Sequence, residues 1–216
     1  MHRLATLPGD LEDKDISLVE QPFGRVLFLT SADTDIATLC SVLENHKSID
    51  LNQNVRALNL NALENPAQID HYISRTASGA ELILIRLIGS KGHWSYGLEQ
   101  IEQWAESKIG RKLIVIAGTK EEEIELNSIG NIDIKTTDHL AELLRSGGRE
   151  NMANVIKILD SLLQDKRINE KDYPIEIIQD PYLWDSKEEE GPKVGIIMYR
   201  ALITSGDTSL AKSINK

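Results

Sequence analysis

Arg86 is the residue in this chain whose position asks most of chemistry. It follows the apolar run Leu82-Ile83-Leu84-Ile85, and His93, Trp94 and Tyr96 come shortly after it. A strand covered on both faces delivers its last side chains to the carboxyl edge of a parallel sheet, the edge where ligands bind in open α/β folds. A guanidinium there offers a fixed fork of donors, and aromatic rings offer flat faces for stacking. Arg86, His93, Trp94 and Tyr96 would together suit a flat macrocycle edged with carboxylates and amides. Tyr199 and Arg200 stand at the end of a second apolar run that starts at Val194, and the same reasoning extends to them with less force. A packing reading stands beside this one: an aromatic at a helix start commonly anchors the helix, and Arg86 could pair with Glu99 or Glu102 on it.

Other chemistries find little support. There is no G-x-x-x-x-G-K-[ST] loop and no strand-borne G-x-G-x-x-G, so nucleotide hydrolysis would have to come from partners. His46, His71, His93 and His139 sit on different segments and His2 is next to the N-terminus, so no pair has the i, i+4 spacing of a helical metal site. Cys40 is the single cysteine, which excludes an internal disulfide framework and a cysteine zinc cluster. Ser205 precedes Gly206-Asp207 outside any G-x-S-x-G elbow and reads as a helix cap. A net charge of -10 disfavours nucleic acid, and the acidic runs 10–15 and 185–190 read as solvated loops. No stretch reaches the ~18 apolar residues of a membrane span and no signal peptide is recognisable, so the expected location is cytoplasmic.

The elements that must position these residues alternate between short apolar runs and amphipathic stretches, the pattern of strands feeding crossover helices. Arg25–Thr30 predicts a strand, Ser31-Ala32-Asp33 a cap, and Ile36, Leu39, Cys40 and Leu43 one face of a helix. Residues 55–60 predict a second strand, and Asn65-Pro66 a capped helix with Ile69, Tyr72 and Ile73 inward. Glu81–Ile88 is the strongest strand. A loop at Gly89-Ser90-Lys91-Gly92, a helix from about Trp94 to Lys108 and a buried strand over Lys112–Ala117 follow. A polar connection then leads to a helical stretch over 138–145, the pair Gly147-Gly148, and a helix carrying Met152, Val155, Ile156, Leu159, Leu162 and Leu163. The fold expected is an open, mostly parallel, flavodoxin-like α/β sheet with flanking helices, occupying residues 1–166.

Residues 167–192 lose periodicity and gather Pro174, Pro181 and Pro192, which reads as a linker with one docked edge strand over 175–178. Residues 193–216 read as the truncated start of a second α/β unit, one strand and a capped helix start, too little to bury a core alone. The chain therefore reads as cut from something longer.

Several segments, in order along the chain, resemble the cobaltochelatase large subunit. They are Leu4-Ala5-Thr6-Leu7-Pro8-Gly9, Val26 through Thr34, Leu84 through Gly89 leading to Trp94-Ser95-Tyr96-Gly97-Leu98, Gly147 through Asn154, and Val194 through Ala201 with Gly206-Asp207-Thr208. Ser90 departs from this pattern, standing where the family tends to show a second glycine; serine tolerates positive φ less well. The resemblance implies a tetrapyrrole-binding subunit that holds a hydrogenobyrinic acid diamide while two ATPase-type subunits drive cobalt insertion with ATP and magnesium. It also implies kinship with the porphyrin-binding subunit of magnesium chelatase, although the leader ending in Leu7-Pro8-Gly9 is more like the cobalt branch. On this reading the chain is the N-terminal piece, binds no cofactor of its own, is not catalytic alone, and has Arg86, His93, Trp94, Tyr96, Tyr199 and Arg200 as tetrapyrrole contacts. Three alternatives are a non-catalytic docking or structural module, the equivalent part of a magnesium chelatase large subunit, and a stand-alone flavodoxin-like or receiver-like domain; Asp33 and Asp35 imitate a receiver's acidic pair, while Lys112 lies on the wrong side of its strand.

Overall fold

The computed structural model describes residues 17–45, 54–120, 123–177, 197, 199, 201 and 205. Four strands, β1 (Val26–Thr30), β2 (Val55–Asn59), β3 (Leu82–Leu87) and β4 (Lys112–Ala117), form one sheet in the order β2-β1-β3-β4. All three pairings are parallel. Among the described residues, six α-helices with defined bounds accompany them: α1 (Asp33–Asn45), α2 (Pro66–Arg75), α3 (Ser95–Glu106), α4 (Glu123–Leu126), α5 (Ile134–Ser146) and α6 (Arg149–Leu163).

The sheet is sandwiched, and strand periodicity assigns each side chain to a layer. Val26, Phe28, Leu82, Leu84, Ile114 and Ile116 pack against α1, α5 and α6. Leu27, Leu29, Ile83, Ile85, Leu113 and Val115 pack against α2 and α3. Burial on both faces explains why β1, β3 and β4 are continuous apolar runs rather than alternating ones.

Helix boundaries follow local chemistry. Asn65 accepts from the Gln68 amide while Gln68 reaches back to the Asn65 amide, a capping box closed by Pro66 at the first helical position. The helix expected over 138–145 begins earlier, at Ile134, because Asp133 caps it by accepting from the Thr136 amide at 3.1 Å. In the loop after β3 the positive φ falls on Gly89 (106°), whereas Ser90 has φ -73°, so serine is accommodated there without strain.

Neither edge of the sheet is bare. Along β4, Asn131 donates its amide to Leu113 O and accepts from the Leu113 amide through Oδ1, and Asn127 Oδ1 accepts from the Ala117 amide. Gly130 sits between them, bridged antiparallel to Ile114; its φ is 119°, and a Cβ there would lie 2.4 Å from Leu113 O. Along β2, Gln21 Nε2 donates to Ala57 O at 2.8 Å and Arg56 donates to Pro22 O. The Tyr72 hydroxyl donates to Gln21 Oε1 at 2.9 Å and secures this second seal.

The docked strand expected over 175–178 takes another form. Residues 173–176 lie on helices, not on the sheet, and residues 175–177 form no strand, while Ile178 lies outside the described residues. Asn151, fully buried, pairs with both the amide and the carbonyl of Glu176 and also donates to Gly147 O. Asn154 donates to Pro174 O, and His139 Nε2 lies 2.8 Å from Tyr173 O. Side chains of α5 and α6, rather than a strand ladder, thus meet the backbone of Tyr173, Pro174 and Glu176. The linker over 167–192 and the second unit over 193–216 lie largely outside the described residues.

Two outcomes follow. Asn151→Ala should lower stability by about 1–3 kcal/mol in urea unfolding, with faster hydrogen exchange at the Glu176 amide. Burial pushes the Tyr72 hydroxyl well above the ordinary phenol range. Its raised value means the stability tied to the neutral phenol is fully present below pH about 10 and declines as pH rises past it. Tyr72→Phe should be less stable than wild type at neutral pH, with the difference narrowing above pH about 10 in thermal melts.

Candidate functional site

In the order β2-β1-β3-β4 the connections from β1 and β3 run in opposite directions, so the carboxyl ends of these two strands frame the crevice where open sheets bind ligands. Register pairs Thr30 with Arg86 at that point. Thr30, Leu82, Leu84 and Arg86 have the same parity, which sends the Arg86 side chain to the layer of α1, α5 and α6. There it meets Asp35 in the first turn of α1. Arg86 Nη1 donates to Asp35 Oδ1 at 2.6 Å and to Oδ2 at 2.8 Å, and the Thr30 hydroxyl donates to Oδ2 at 2.6 Å. The two side chains are 12% and 9% exposed, so this is a buried pair whose desolvation must be offset by good geometry. An acid in the first turn of a helix is also favoured by the amide dipoles. Asp33, two residues earlier, accepts from Asn59 Nδ2 and ties the start of α1 to the end of β2.

Beside the pair lies a cavity of about 150 Å³. Asp35, Arg86 and Arg145 supply its charged wall, Leu143 and Met152 its apolar wall, and the turn Gly147-Gly148 closes it between α5 and α6. Both glycines have positive φ, 68° and 93°, which an L side chain would adopt only with strain.

Arg86 pairs with neither Glu99 nor Glu102. Those residues belong to α3, which covers the opposite face. Trp94 and Tyr96 are also on that side. The Trp94 ring is buried against Gly97, and its Nε1 donates to Leu63 O at 2.9 Å. The Tyr96 hydroxyl donates to Asp70 at 2.8 Å, a bond that raises its ionisation above the ordinary phenol value. His93 is exposed on the intervening loop, with Nδ1 3.2 Å from the Ser90 hydroxyl. The structure thus sets Arg86 and the two rings on opposite faces of the sheet. Tyr199 is exposed, and Arg200 lies outside the described residues.

Two partners were not apparent from the sequence as a site. Asp35 stood out only as half of an acidic pair with Asp33, and Thr30 not at all. The usable signal was a polar residue ending an apolar strand, five positions before an acid in a helix's first turn. Among the described residues no group of three or more His, Cys, Asp or Glu could hold a metal ion. No described helix is long and apolar enough to cross a membrane.

Topology and site define the chain as an open, parallel α/β domain with a charged crevice at its carboxyl edge. Over 162 residues, 74% of its length, it is 32% identical to the aerobic cobaltochelatase subunit CobN of Pseudomonas aeruginosa. An alignment of 231 residues covering 96% of the chain gives 25% identity to the protein of the same name from a Sinorhizobium species. The chain is a relative of the CobN subunit of aerobic cobaltochelatases. It shares its fold with the catalytic subunit of cobaltochelatase from Mycobacterium tuberculosis, at a TM-score of 0.61 and 18% identity over 90% of the chain. It spans 13% and 18% of the two CobN sequences and 15% of the solved chain. No family model matches it.

Breaking a buried pair strands the other charge, so Arg86→Ala should cost about 3–5 kcal/mol in urea unfolding. The double replacement Arg86→Met with Asp35→Leu should recover most of that loss. Additive losses would show instead that the two residues act independently.

Proposed function

We propose that this chain forms part of the large, tetrapyrrole-binding subunit of an ATP-dependent cobaltochelatase. The observation that carries the reading is the 32% identity over 162 residues with a CobN subunit, supported by the shared fold. In this reading the complete subunit holds a hydrogenobyrinic acid diamide in the cytoplasm and two ATPase-type subunits supply the energy for cobalt insertion. ATP and magnesium act on those partners, because this sequence has no phosphate-cradling loop. The α/β unit itself is a non-catalytic head. Its charged crevice is the part available to a substituent of the tetrapyrrole.

Of the residues first considered for tetrapyrrole contact, Arg86 has surroundings that favour a ligand role. Trp94 and Tyr96 are committed to packing and to Asp70, and they favour the second reading, that the unit serves docking within the subunit. A magnesium chelatase role draws no comparable support.

A chimera tests the main reading. The homologous segment of the Pseudomonas aeruginosa CobN is replaced by this chain's segment, and cobalt insertion is measured with the two ATPase subunits. The chimera should retain activity within about tenfold of the parent, a barrier change near 1.4 kcal/mol. A folded, soluble chimera that assembles yet inserts no cobalt would overturn the proposal.

A further inference from the structure

The amino edge of the sheet, opposite the crevice, carries an apolar and basic patch open to solvent. Phe23 precedes β1, Gly79 precedes β3 and Ile109 precedes β4, so all three sit at that edge. The Phe23 ring rests on Gly79, where a Cβ would lie 2.7 Å from it, and is held 57% exposed. Ile109 is fully exposed, projected by a turn that ends in Gly110 with φ 90°. Single apolar residues at a surface are ordinary. Here two stand on one edge, and Arg111 ties their loops together. Its Nη2 donates to Ser78 O at 2.7 Å and its Nη1 to Trp104 O at 2.8 Å, with the guanidinium 4.6 Å from the centre of the Trp104 ring.

The same edge gathers positive charge. Glu81 is taken by Arg25 and Asp165 by Lys112. Arg75, Lys108 and Arg111 form no ion pair with a described acid, and the groups that hold Arg111 are neutral. The three bases share one corner, because the Ser78 hydroxyl donates to Arg75 O and the Arg111 amide to Lys108 O. Glu106, exposed beside them, offsets one of the three and leaves an excess of two positive charges, on a chain whose net charge is -10.

An apolar knob and a half-exposed ring within a rim of bases fit a surface that has an apolar recess edged with carboxylates. A lipid surface fits less well, since the acidic remainder of the chain opposes attraction to anionic headgroups and two side chains offer little area to hydrocarbon. Interfaces between domains of one polypeptide are small and mixed in polarity in this way. The chain spans 13% and 18% of the two CobN sequences, so in such a subunit more than four-fifths of the polypeptide is available to pack against it.

We propose that the amino edge is a docking surface for an acidic face of the remainder of the large subunit, with Ile109 entering an apolar recess and Arg75, Lys108 and Arg111 meeting its carboxylates. The identity of that partner rests on the chelatase reading.

The chimera described above, carrying Ile109→p-benzoylphenylalanine, is irradiated in the presence of the two ATPase subunits, and mass spectrometry locates the cross-link. It should join position 109 to an Asp- or Glu-rich peptide of the large subunit outside this chain's segment. Lys108→Glu should cut the yield at least about fivefold, as should sodium chloride on the order of 0.5 M. Both replacements fall at exposed positions, so neither should move the melting temperature of the chain alone. Should the chimera fail to fold, the cross-linker is placed at the aligned position of the Pseudomonas aeruginosa CobN itself. No cross-link, a cross-link to an ATPase subunit or to a second copy, or one to a peptide without acids would overturn the proposal. Sedimentation of the chain with phosphatidylglycerol vesicles, abolished by Ile109→Asp, would overturn it in favour of a lipid surface. A chimera that inserts cobalt but gives no cross-link sinks this docking surface and leaves the chelatase reading in place; one that cross-links as expected yet inserts no cobalt does the reverse.

Discussion

Strands β1 and β3 are dry on both faces, and most of the molecule follows from that constraint. A strand with no wet side needs apolar residues at every position, a helical layer above and below, and backbone partners on both edges. Leu82 through Ile85 meet the first demand, α1, α5 and α6 against α2 and α3 meet the second, and β1 and β4 flank β3 to meet the third. A charge can enter such a strand only at its end and only with a counter-charge already in place. Arg86 satisfies this because Thr30 lies beside it in register and Asp35 hangs from the first turn of the helix that leaves β1. The polar crevice is therefore a by-product of ending two buried strands at the same level.

Much of the fold was legible because its signals are local. The apolar run of β3, the Asn65-Pro66 cap and the glycine pair before α6 each constrain the backbone within a few residues, and each lies where the pattern put it. The site was less legible, and the reason is geometric. Arg86 and Trp94 are close in sequence, yet the chain crosses the end of the sheet between them, so they belong to different layers. Proximity along the chain is a poor guide to proximity in space wherever a strand hands over to a crossover helix. Asp35 is the converse case, 51 positions from Arg86 and joined to it only by parallel register.

Asparagine was the residue type hardest to read. Asn127, Asn131 and Asn151 each use a carboxamide, donor and acceptor together, to stand in for a missing strand neighbour or to pin a passing backbone. In sequence they look like loop residues. The segment Gly147 through Asn154, noted for its family resemblance, gains a physical account: two glycines supply the left-handed turn, Asn151 and Asn154 hold residues 173–176, and Met152 fills the wall of the cavity.

The sealed sheet edges bear on the order in which the protein is made. The segment that covers β2, residues 17–24, leaves the ribosome before β2 itself, and the one that covers β4 begins at Asn127, ten residues after that strand ends at Ala117. Each outer strand thus meets its cover either on arrival or within a short stretch of further synthesis. Naked strand edges are what nascent chains on neighbouring ribosomes most readily exchange. A unit whose sheet edges are covered by adjacent sequence can finish folding as soon as that sequence has been made.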